Sequence, residues 1–203
     1  KSAVEIICNS YRSSFFSDYL NPLSRITLAT ARAGNVIGGG DWQIDRIVPD
    51  CIKSIEDERP ITVRNPNSIR PWQHVLEPLY GYMLLAMHLN INPLKYASAW
   101  NFGPENSNYK TVSKLVKKLI SDYGKGSWIE SSKPHNKPET GRLKLDNTKS
   151  VSHLGWLPKW GFNTTVGKTV EWYKYYKSSN MFRLATDQID SYISTIENQN
   201  SFN

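Results

Sequence analysis

The sequence predicts an α/β fold built on a parallel sheet. Short β-branched apolar runs alternate with amphipathic helical segments, and Pro or Gly residues bound the strand-like runs. Hydrophobic residues make up 39% of the 203 residues and charged residues 21%. This balance supports a buried core and disfavours global disorder. A helical bundle and a β-sandwich both fit the alternation less well.

The opening elements follow from periodicity and from chain breakers. Ala3, Ile6 and Tyr11 recur at helical spacing, which predicts a first helix that ends before Asn21-Pro22. The apolar run 25–32 predicts a buried parallel strand, and a glycine-rich polar loop follows it over 33–42. Continuing the same reading predicts a helix at 46–58, a strand at 61–64 and a helix at 76–90.

The second half continues the alternation. We predict a strand at 99–102, a helix at 111–123, a strand at 127–131 and a helix at 148–155. Asn163-Thr164-Thr165 is expected to cap a last helix that runs to Tyr176. From Asn180 onward the chain is polar and weakly periodic, so we expect a loosely held tail with a short helix near 187–196.

Charge and composition narrow the function classes. The net charge is +7, and the excess lies in residues 110–177, where fourteen Lys and Arg face five Asp and Glu. Lys114, Lys117 and Lys118 of this block fall mostly on the outward positions of a predicted helix, which favours a solvated face over a nucleic-acid site. No apolar stretch approaches the ~20 residues of a membrane span, and no residue spacing indicates a metal site. We therefore expect no nucleic-acid and no membrane partner.

The cysteines and the chain start indicate the compartment. Cys8 and Cys51 are the two cysteines, and thiols without metal-ligand spacing are typical of a reducing, cytoplasmic setting. The segment Lys1-Ser2-Ala3-Val4-Glu5 carries a charge where a signal peptide is apolar. It also lacks an initiating Met, so we expect that the chain is cut at its N-terminus.

Two polar segments are candidate ligand sites. Gly38-Gly39-Gly40 lacks the register of a dinucleotide fingerprint, which leaves either a ligand-lining turn or a merely flexible one. Polar neighbours favour the first, because ligands bind outside the carboxyl ends of parallel strands. The second segment runs over 64–75, where Arg64 and Arg70 flank a Pro-Asn turn and could clamp a diphosphate bidentately. Its Trp72 and His74 suit a ligand contact or plain packing equally.

Several strings carry a family resemblance. They are Arg32-Ala-Gly-Asn-Val-Ile-Gly-Gly-Gly-Asp-Trp42, Asp45-Arg46-Ile-Val-Pro-Asp50, Arg64-Asn-Pro, Ile69-Arg-Pro-Trp-Gln-His-Val-Leu-Glu-Pro78, Trp100-Asn-Phe-Gly-Pro104, Leu143-Lys-Leu-Asp146 and Leu154-Gly-Trp156. Over about residues 1–177 the chain resembles the CDP-glucose 4,6-dehydratases of the extended short-chain dehydrogenase/reductase family. The Arg-Pro-Trp-Gln-His run is specific to this branch, since the dTDP-glucose branch has Arg-Asp-Trp there.

The resemblance also implies missing parts. Lys1 matches the lysine of the family's Tyr-x-x-x-Lys motif, whose tyrosine would precede residue 1, and the glycine-rich cofactor turn has no counterpart. The implied fold is the C-terminal part of an NAD(P)-binding Rossmann enzyme with its substrate-binding lobe. Residues 1–45 would form the last helix and strand of the Rossmann cofactor domain. Residues 46–177 would form mainly the substrate-binding lobe, with a returning Rossmann strand near 99–102. Residues 178–203 would be a C-terminal tail. This piece alone is expected neither to hold NAD nor to turn over substrate.

The resemblance implies an activity and roles for individual residues. The complete enzyme would use NAD to convert CDP-glucose to CDP-4-dehydro-6-deoxyglucose and water, as a cytoplasmic homodimer that supplies O-antigen and lipopolysaccharide synthesis. Lys1 would be catalytic, and Lys1, Ala33 and Gly34 would contact NAD. The implied substrate contacts are Asn35, Arg46, Arg64, Arg70, Trp72, His74 and Glu139. Glu139 is the one acid kept from a family stretch that otherwise carries histidines, and this chain has no histidines there.

Three functions stay open at this point. The chain is part of a CDP-glucose dehydratase, a nucleotide-sugar-binding lobe without catalysis, or a related epimerase or reductase that shares the lobe.

Overall fold

The computed structural model describes residues 1–16, 26–131, 141 and 143–200. The helices are α1 Ser2–Phe15, α2 Ile47–Glu56, α3 Leu76–Ile91, α4 Pro93–Tyr96, α5 Val112–Tyr123, α6 Thr148–Leu154, α7 Phe162–Tyr175 and α8 Met181–Asn200. The strands are β1 Thr30–Ala33, β2 Asn35–Ile37, β3 Ile61–Val63, β4 Ile69–His74, β5 Ala99–Phe102, β6 Tyr109–Thr111 and β7 Trp128–Glu130.

The chain forms two compact units that interleave along the sequence. The first unit contains Lys1–Ala33, Pro78–Gly103 and Leu145–Leu157. In it, β1 pairs in parallel with β5, with Thr30 opposite Ala99. Trp100, Phe102 and Trp156 fill its core and are almost wholly buried. These aromatic side chains supply most of the apolar area that holds this unit together.

The second unit contains Gly34–Glu77, Pro104–Lys144 and Pro158–Asn203. Its three-stranded sheet has the order β2, β4, β6, with β2 parallel and β6 antiparallel to β4. A separate parallel pair joins β3 to β7. Helices α2, α5 and α7 cover these strands and bury an aliphatic core that includes Ile52, Leu115 and Val170.

Helix α5 shows how the sequence sets an element of this unit. The Thr111 side chain accepts a hydrogen bond from the N–H of Lys114 at 3.2 Å, which caps the helix start. Gly124 ends the helix in the left-handed conformation at φ 92°. Between these ends, Leu115, Val116 and Leu119 form the buried stripe and the lysines lie outward.

The order of the predicted elements is confirmed, with corrections to several bounds. The strand expected over 25–32 covers only Thr30–Ala33 within the described residues. The cap predicted at Asn163 is wrong, because α7 begins at Phe162 and Gly161 occupies the capping position. The strands β2, β4 and β6 were not predicted, since polar residues and Pro71 gave those segments the composition of loops.

The expectation of a loosely held tail is wrong. Residues Met181–Asn200 form one long helix, α8. Tyr192 of this helix is 4% exposed, and its hydroxyl donates to Glu77 at 2.7 Å. Gln188 donates to the carbonyl of Lys168 on α7 at 2.9 Å. The helix is therefore an integral part of the second unit.

Helix length and apolarity also bear on the membrane question. Within the part of the chain that the structure describes, no helix has both properties to the degree that crossing a bilayer requires.

Candidate functional site

A cavity of about 840 Å³ lies within the second unit, a volume in the usual range for small-molecule sites. Residues from β2, the 38–46 loop, α2, β3 and β4 line it. Five predicted substrate contacts are among the lining residues, namely Asn35, Arg46, Arg64, Arg70 and Trp72. The structure thus brings together residues that lie up to 37 positions apart in the sequence.

Strand register places three of these residues on one face of the sheet. Asn35 of β2 lies opposite Trp72 of β4, and partners in a parallel ladder point to the same side. Arg70 precedes Trp72 by two positions and shares that face. Arg70 is only 8% exposed, and its Nη1 donates to the carbonyl of Ile69 at 2.9 Å. Asn35 and Arg70 therefore lie on the same face of the sheet and both line the cavity.

The two other predicted arginines lie at the rim, each with a carboxylate beside it. Arg64 follows β3 directly, and its Nη2 donates to Asp45 at 3.2 Å. Arg46 precedes α2, donates to Gln43 at 3.0 Å and lies 3.6 Å from a carboxylate oxygen of Asp41. Both side chains are more than half exposed, so these ion pairs contribute little to stability.

The cavity wall carries an excess of positive charge. Its basic residues are Arg46, Lys53, Arg59, Arg64 and Arg70, and its acidic residues are Asp41, Asp45 and Asp50. The surplus of two positive charges matches a diphosphate, which arginine forks bind bidentately. Burial raises the pKa of Asp50, and the nearby carboxylate of Asp45 adds to that rise.

Trp72 and His74 are packed residues. Trp72 is 2% exposed, and its indole N–H donates to the carbonyl of Lys110 at 3.0 Å. His74 is 1% exposed and does not line the cavity, and its ring packs edge-on against Trp160. Nδ1 of His74 accepts the N–H of Leu76 at 3.3 Å, while Nε2 has no hydrogen-bond partner among the described residues. Trp72 therefore contributes to the wall mainly through its ring.

His74 should make stability depend on pH. Burial lowers the pKa of His74 from 6.5 to about 4, with a further contribution from Lys168. Between these values the unfolded chain binds a proton that the folded chain excludes, so stability falls as the pH falls. We expect a loss of about 2 kcal/mol in the free energy of unfolding from about pH 7.5 to about pH 5.

Urea denaturation across that pH range measures the effect. His74→Gln should flatten the dependence even where it lowers stability overall, whereas His153→Gln, which changes an exposed histidine on α6, should leave it unchanged. An unaltered slope in His74→Gln would show that another group causes the pH dependence.

Glycines let the backbone come close to large side chains near the cavity. A Cβ on Gly34 would lie 2.9 Å from Cγ of Pro71, so β2 could not approach β4 as closely with a larger residue. A Cβ on Gly39 would collide with the Trp172 ring. Gly38 lines the cavity, which agrees with the ligand-lining interpretation of the glycine run, whereas Gly39 serves packing.

The remaining predicted contacts are elsewhere. Lys1 is exposed, immediately precedes α1, and its carbonyl accepts the N–H of Glu5 at 3.3 Å. Ala33 is the last residue of β1, at the carboxyl end of the β1–β5 pair. Glu139 lies outside the described residues. The roles of all three stay predictions.

Sequence reasoning missed several lining residues. Asp50 and Lys53 lie one and two turns after Arg46 on α2, and Arg59 lies just beyond that helix. Helical spacing from Arg46 could have found the first two, because residues three and four apart share a helix face. Across residues 1–16, 26–131, 141 and 143–200, no cluster of His, Cys, Asp and Glu side chains could hold a metal ion.

Curated sequences supply the first comparison. The chain is 41% identical over 196 residues to the CDP-glucose 4,6-dehydratase of Salmonella typhimurium, which covers 96% of this chain and 54% of that protein. It is 26% identical over 138 residues to a probable dTDP-glucose 4,6-dehydratase of Sinorhizobium fredii, covering 64% of this chain and 37% of that protein. The chain thus spans about half the length of the first relative, and no family model matches it.

Solved structures supply the second comparison. The dTDP-glucose 4,6-dehydratase of Bacillus anthracis in complex with NAD matches with a TM-score of 0.66 at 17% identity, over 88% of this chain and 51% of that one. The UDP-glucose 4-epimerase of Thermotoga maritima with UDP-glucose matches with a TM-score of 0.70 at 19% identity, over 88% and 53%. The chain therefore shares the α/β fold of these dehydratase and epimerase structures, and the α/β class that the sequence predicts is confirmed.

Proposed function

We propose that this chain provides the nucleotide-sugar-binding part of a CDP-glucose 4,6-dehydratase. This hydro-lyase converts CDP-D-glucose to CDP-4-dehydro-6-deoxy-D-glucose and water. One observation carries the proposal: Asn35, Arg46, Arg64 and Arg70 line a single cavity with a surplus of positive charge. The 41% identity to the Salmonella enzyme supports the choice of reaction.

We propose different tasks for the residues in and around the cavity. Arg70 pairs with the diphosphate, because its guanidinium lies at the wall and is mostly shielded from water. Asn35 hydrogen-bonds the diphosphate or the sugar from the neighbouring strand. Arg46 and Arg64 add positive charge at the rim. Trp72 and His74 support the wall by packing, and Glu139 is an additional expected contact.

NAD fits one observation in the first unit. Ala33 ends β1 at the carboxyl edge of a parallel pair, the place where open α/β sheets take ligands. When bound, NAD would supply the hydride acceptor and donor that the conversion requires. Lys1 would hydrogen-bond the nicotinamide ribose, and the backbone at Ala33 and Gly34 would border the nicotinamide.

Ligand preference tests the proposal directly. Calorimetric titration of the protein should show CDP-glucose binding more tightly than UDP-glucose and dTDP-glucose. The protein purified from its own cells, with any segment it carries there, should also convert CDP-glucose to a 4-keto-6-deoxy product with NAD. Preference for a UDP-sugar would favour an epimerase or reductase, and binding without conversion would favour a lobe that does not catalyse.

The assembly we propose is a homodimer through α1. Val4, Ile7, Tyr11 and Phe15 form an apolar stripe on this helix, each more than half exposed, and none of its residues is buried. A second copy of α1 would cover the stripe. We place this dimer in the cytoplasm, where free thiols such as Cys8 and Cys51 persist and nucleotide sugars for O-antigen and lipopolysaccharide are made.

A charge on this stripe should break the dimer. We expect Ile7→Lys and Tyr11→Lys to sediment as monomers at micromolar concentration, because a lysine on each copy would face an apolar contact. Phe182→Lys on α8 is the matched control, since it changes another exposed aromatic side chain outside the stripe. Analytical ultracentrifugation measures the state, and dimers in both α1 variants would contradict the assignment.

A further inference from the structure

Asp45 occupies an unusual place at the cavity rim. Its backbone adopts the left-handed conformation at φ 63°, which few residues other than glycine accept and which Asp and Asn tolerate best. Its carboxylate lies 3.2 Å from Nη2 of Arg64, and both residues line the cavity. The left-handed backbone conformation therefore occurs at a residue whose carboxylate contacts Arg64, an arginine of the cavity lining.

Neighbouring contacts anchor the loop that carries Asp45. The Tyr173 hydroxyl donates to the carbonyl of Asp41 at 2.5 Å, and Lys53 donates to the carbonyl of Trp42 at 3.0 Å. These contacts hold the loop just before Asp45, and α2 begins two residues after it, so the backbone that carries the carboxylate is tied on both sides.

The Asp45–Arg64 pair is nevertheless easy to exchange. The side chains are 77% and 53% exposed, and water screens such pairs strongly. A diphosphate brings two negative charges to the same guanidinium, where Asp45 offers one. A diphosphate ligand can therefore replace the carboxylate beside Arg64. The displaced Asp45 carboxylate stays nearby, and its negative charge repels the ligand.

We propose that Asp45 is an internal counterion of Arg64 which the diphosphate of the ligand displaces, and that it limits the affinity of the cavity for anions. This inference rests on the proposed function only in that the ligand is a nucleoside diphosphate sugar. It assigns an affinity-determining role to Asp45 that the predicted contact set did not include.

Asp45→Asn tests the inference with little risk to the fold, because asparagine tolerates the left-handed conformation. We expect it to bind CDP-glucose and inorganic pyrophosphate about threefold to tenfold more tightly than the wild type. Asp190→Asn on α8 makes the same change in net charge away from the cavity lining and should leave both affinities unchanged. Isothermal titration calorimetry at one fixed salt concentration provides the measurements.

A double-mutant cycle shows whether Asp45 lowers anion affinity through its contact with Arg64 or only through its negative charge. In Arg64→Gln, the gain from Asp45→Asn should shrink to less than twofold, since no guanidinium remains to be released. A gain of undiminished size in that background would overturn the inference, as would an unchanged or weakened affinity in Asp45→Asn alone.

The two probes distinguish this inference from the proposed function. If CDP-glucose fails to bind while pyrophosphate binds and gains from Asp45→Asn, the nucleotide assignment is wrong and the counterion stands. If CDP-glucose binds equally well with and without Asp45→Asn, the counterion is wrong and the nucleotide assignment stands. If neither probe binds any variant, the counterion is wrong as well, because it requires a diphosphate at Arg64.

Discussion

Replacing Glu77 by alanine should lower the free energy of unfolding by about 3–5 kcal/mol. Glu77 is fully buried, and its carboxylate accepts the N–H groups of Lys159 and Trp160 at 2.9 Å and 2.6 Å. It also accepts the hydroxyl of Tyr192 at 2.7 Å. Alanine would remove the shared acceptor of these three donors, and a buried donor that loses its acceptor costs about 1–3 kcal/mol.

Two further variants show whether hydrogen bonding is the cause. Glu77→Gln keeps one acceptor oxygen and should lose less than Glu77→Ala, and Tyr192→Phe should lose about 1 kcal/mol because it removes a single donor. Glu105→Ala changes an exposed glutamate and is the control. Urea denaturation gives these values, and a loss below about 1 kcal/mol in Glu77→Ala would refute the role of the carboxylate.

The same carboxylate explains why α8 could not be predicted at its full length. Apolar periodicity finds a helix when its buried face is apolar, as in α5, where Leu115, Val116 and Leu119 mark the stripe. In α8, polar side chains make key contacts: Gln188 with α7 and Tyr192 with Glu77. Those partners are 20 and 115 residues away in the sequence, so the pattern of residues within α8 does not indicate these contacts.

In the candidate site, too, the sequence predicts some residues and their roles correctly but not others. Arg64 and Arg70 were predicted because they flank a turn where two guanidinium forks could clamp a diphosphate, and the resemblance implied Arg46; all three line one cavity. Trp72 looked equally suited to a ligand, but its N–H is used by Lys110 across the β4–β6 ladder. The pairing of β4 with β6 was not predicted because Pro71 lies in β4. A proline fits into a strand only at a position where the residue donates no hydrogen bond to the neighbouring strand.

Arg70→Ala should weaken binding of CDP-glucose by tenfold to more than a hundredfold, or about 1.5–3 kcal/mol. Arg70 is 8% exposed at the wall, so water screens its attraction for a diphosphate less than at the rim arginines. Arg70→Lys keeps the charge but loses the planar fork, and its affinity should fall between wild type and Arg70→Ala.

Arg183→Ala on α8 is the matched control, because it removes an exposed arginine that does not line the cavity. Calorimetric titration measures each affinity, and circular dichroism with a urea midpoint shows whether each variant stays folded. A folded Arg70→Ala that binds CDP-glucose as tightly as the wild type would place the diphosphate elsewhere. Because Arg64 lies at the rim beside Asp45, a larger loss in Arg64→Gln than in Arg70→Ala would move the diphosphate to the rim. A larger loss in Arg70→Ala would instead place the ligand's negative charge at the sheet face on which Arg70 of β4 and Asn35 of β2 both lie.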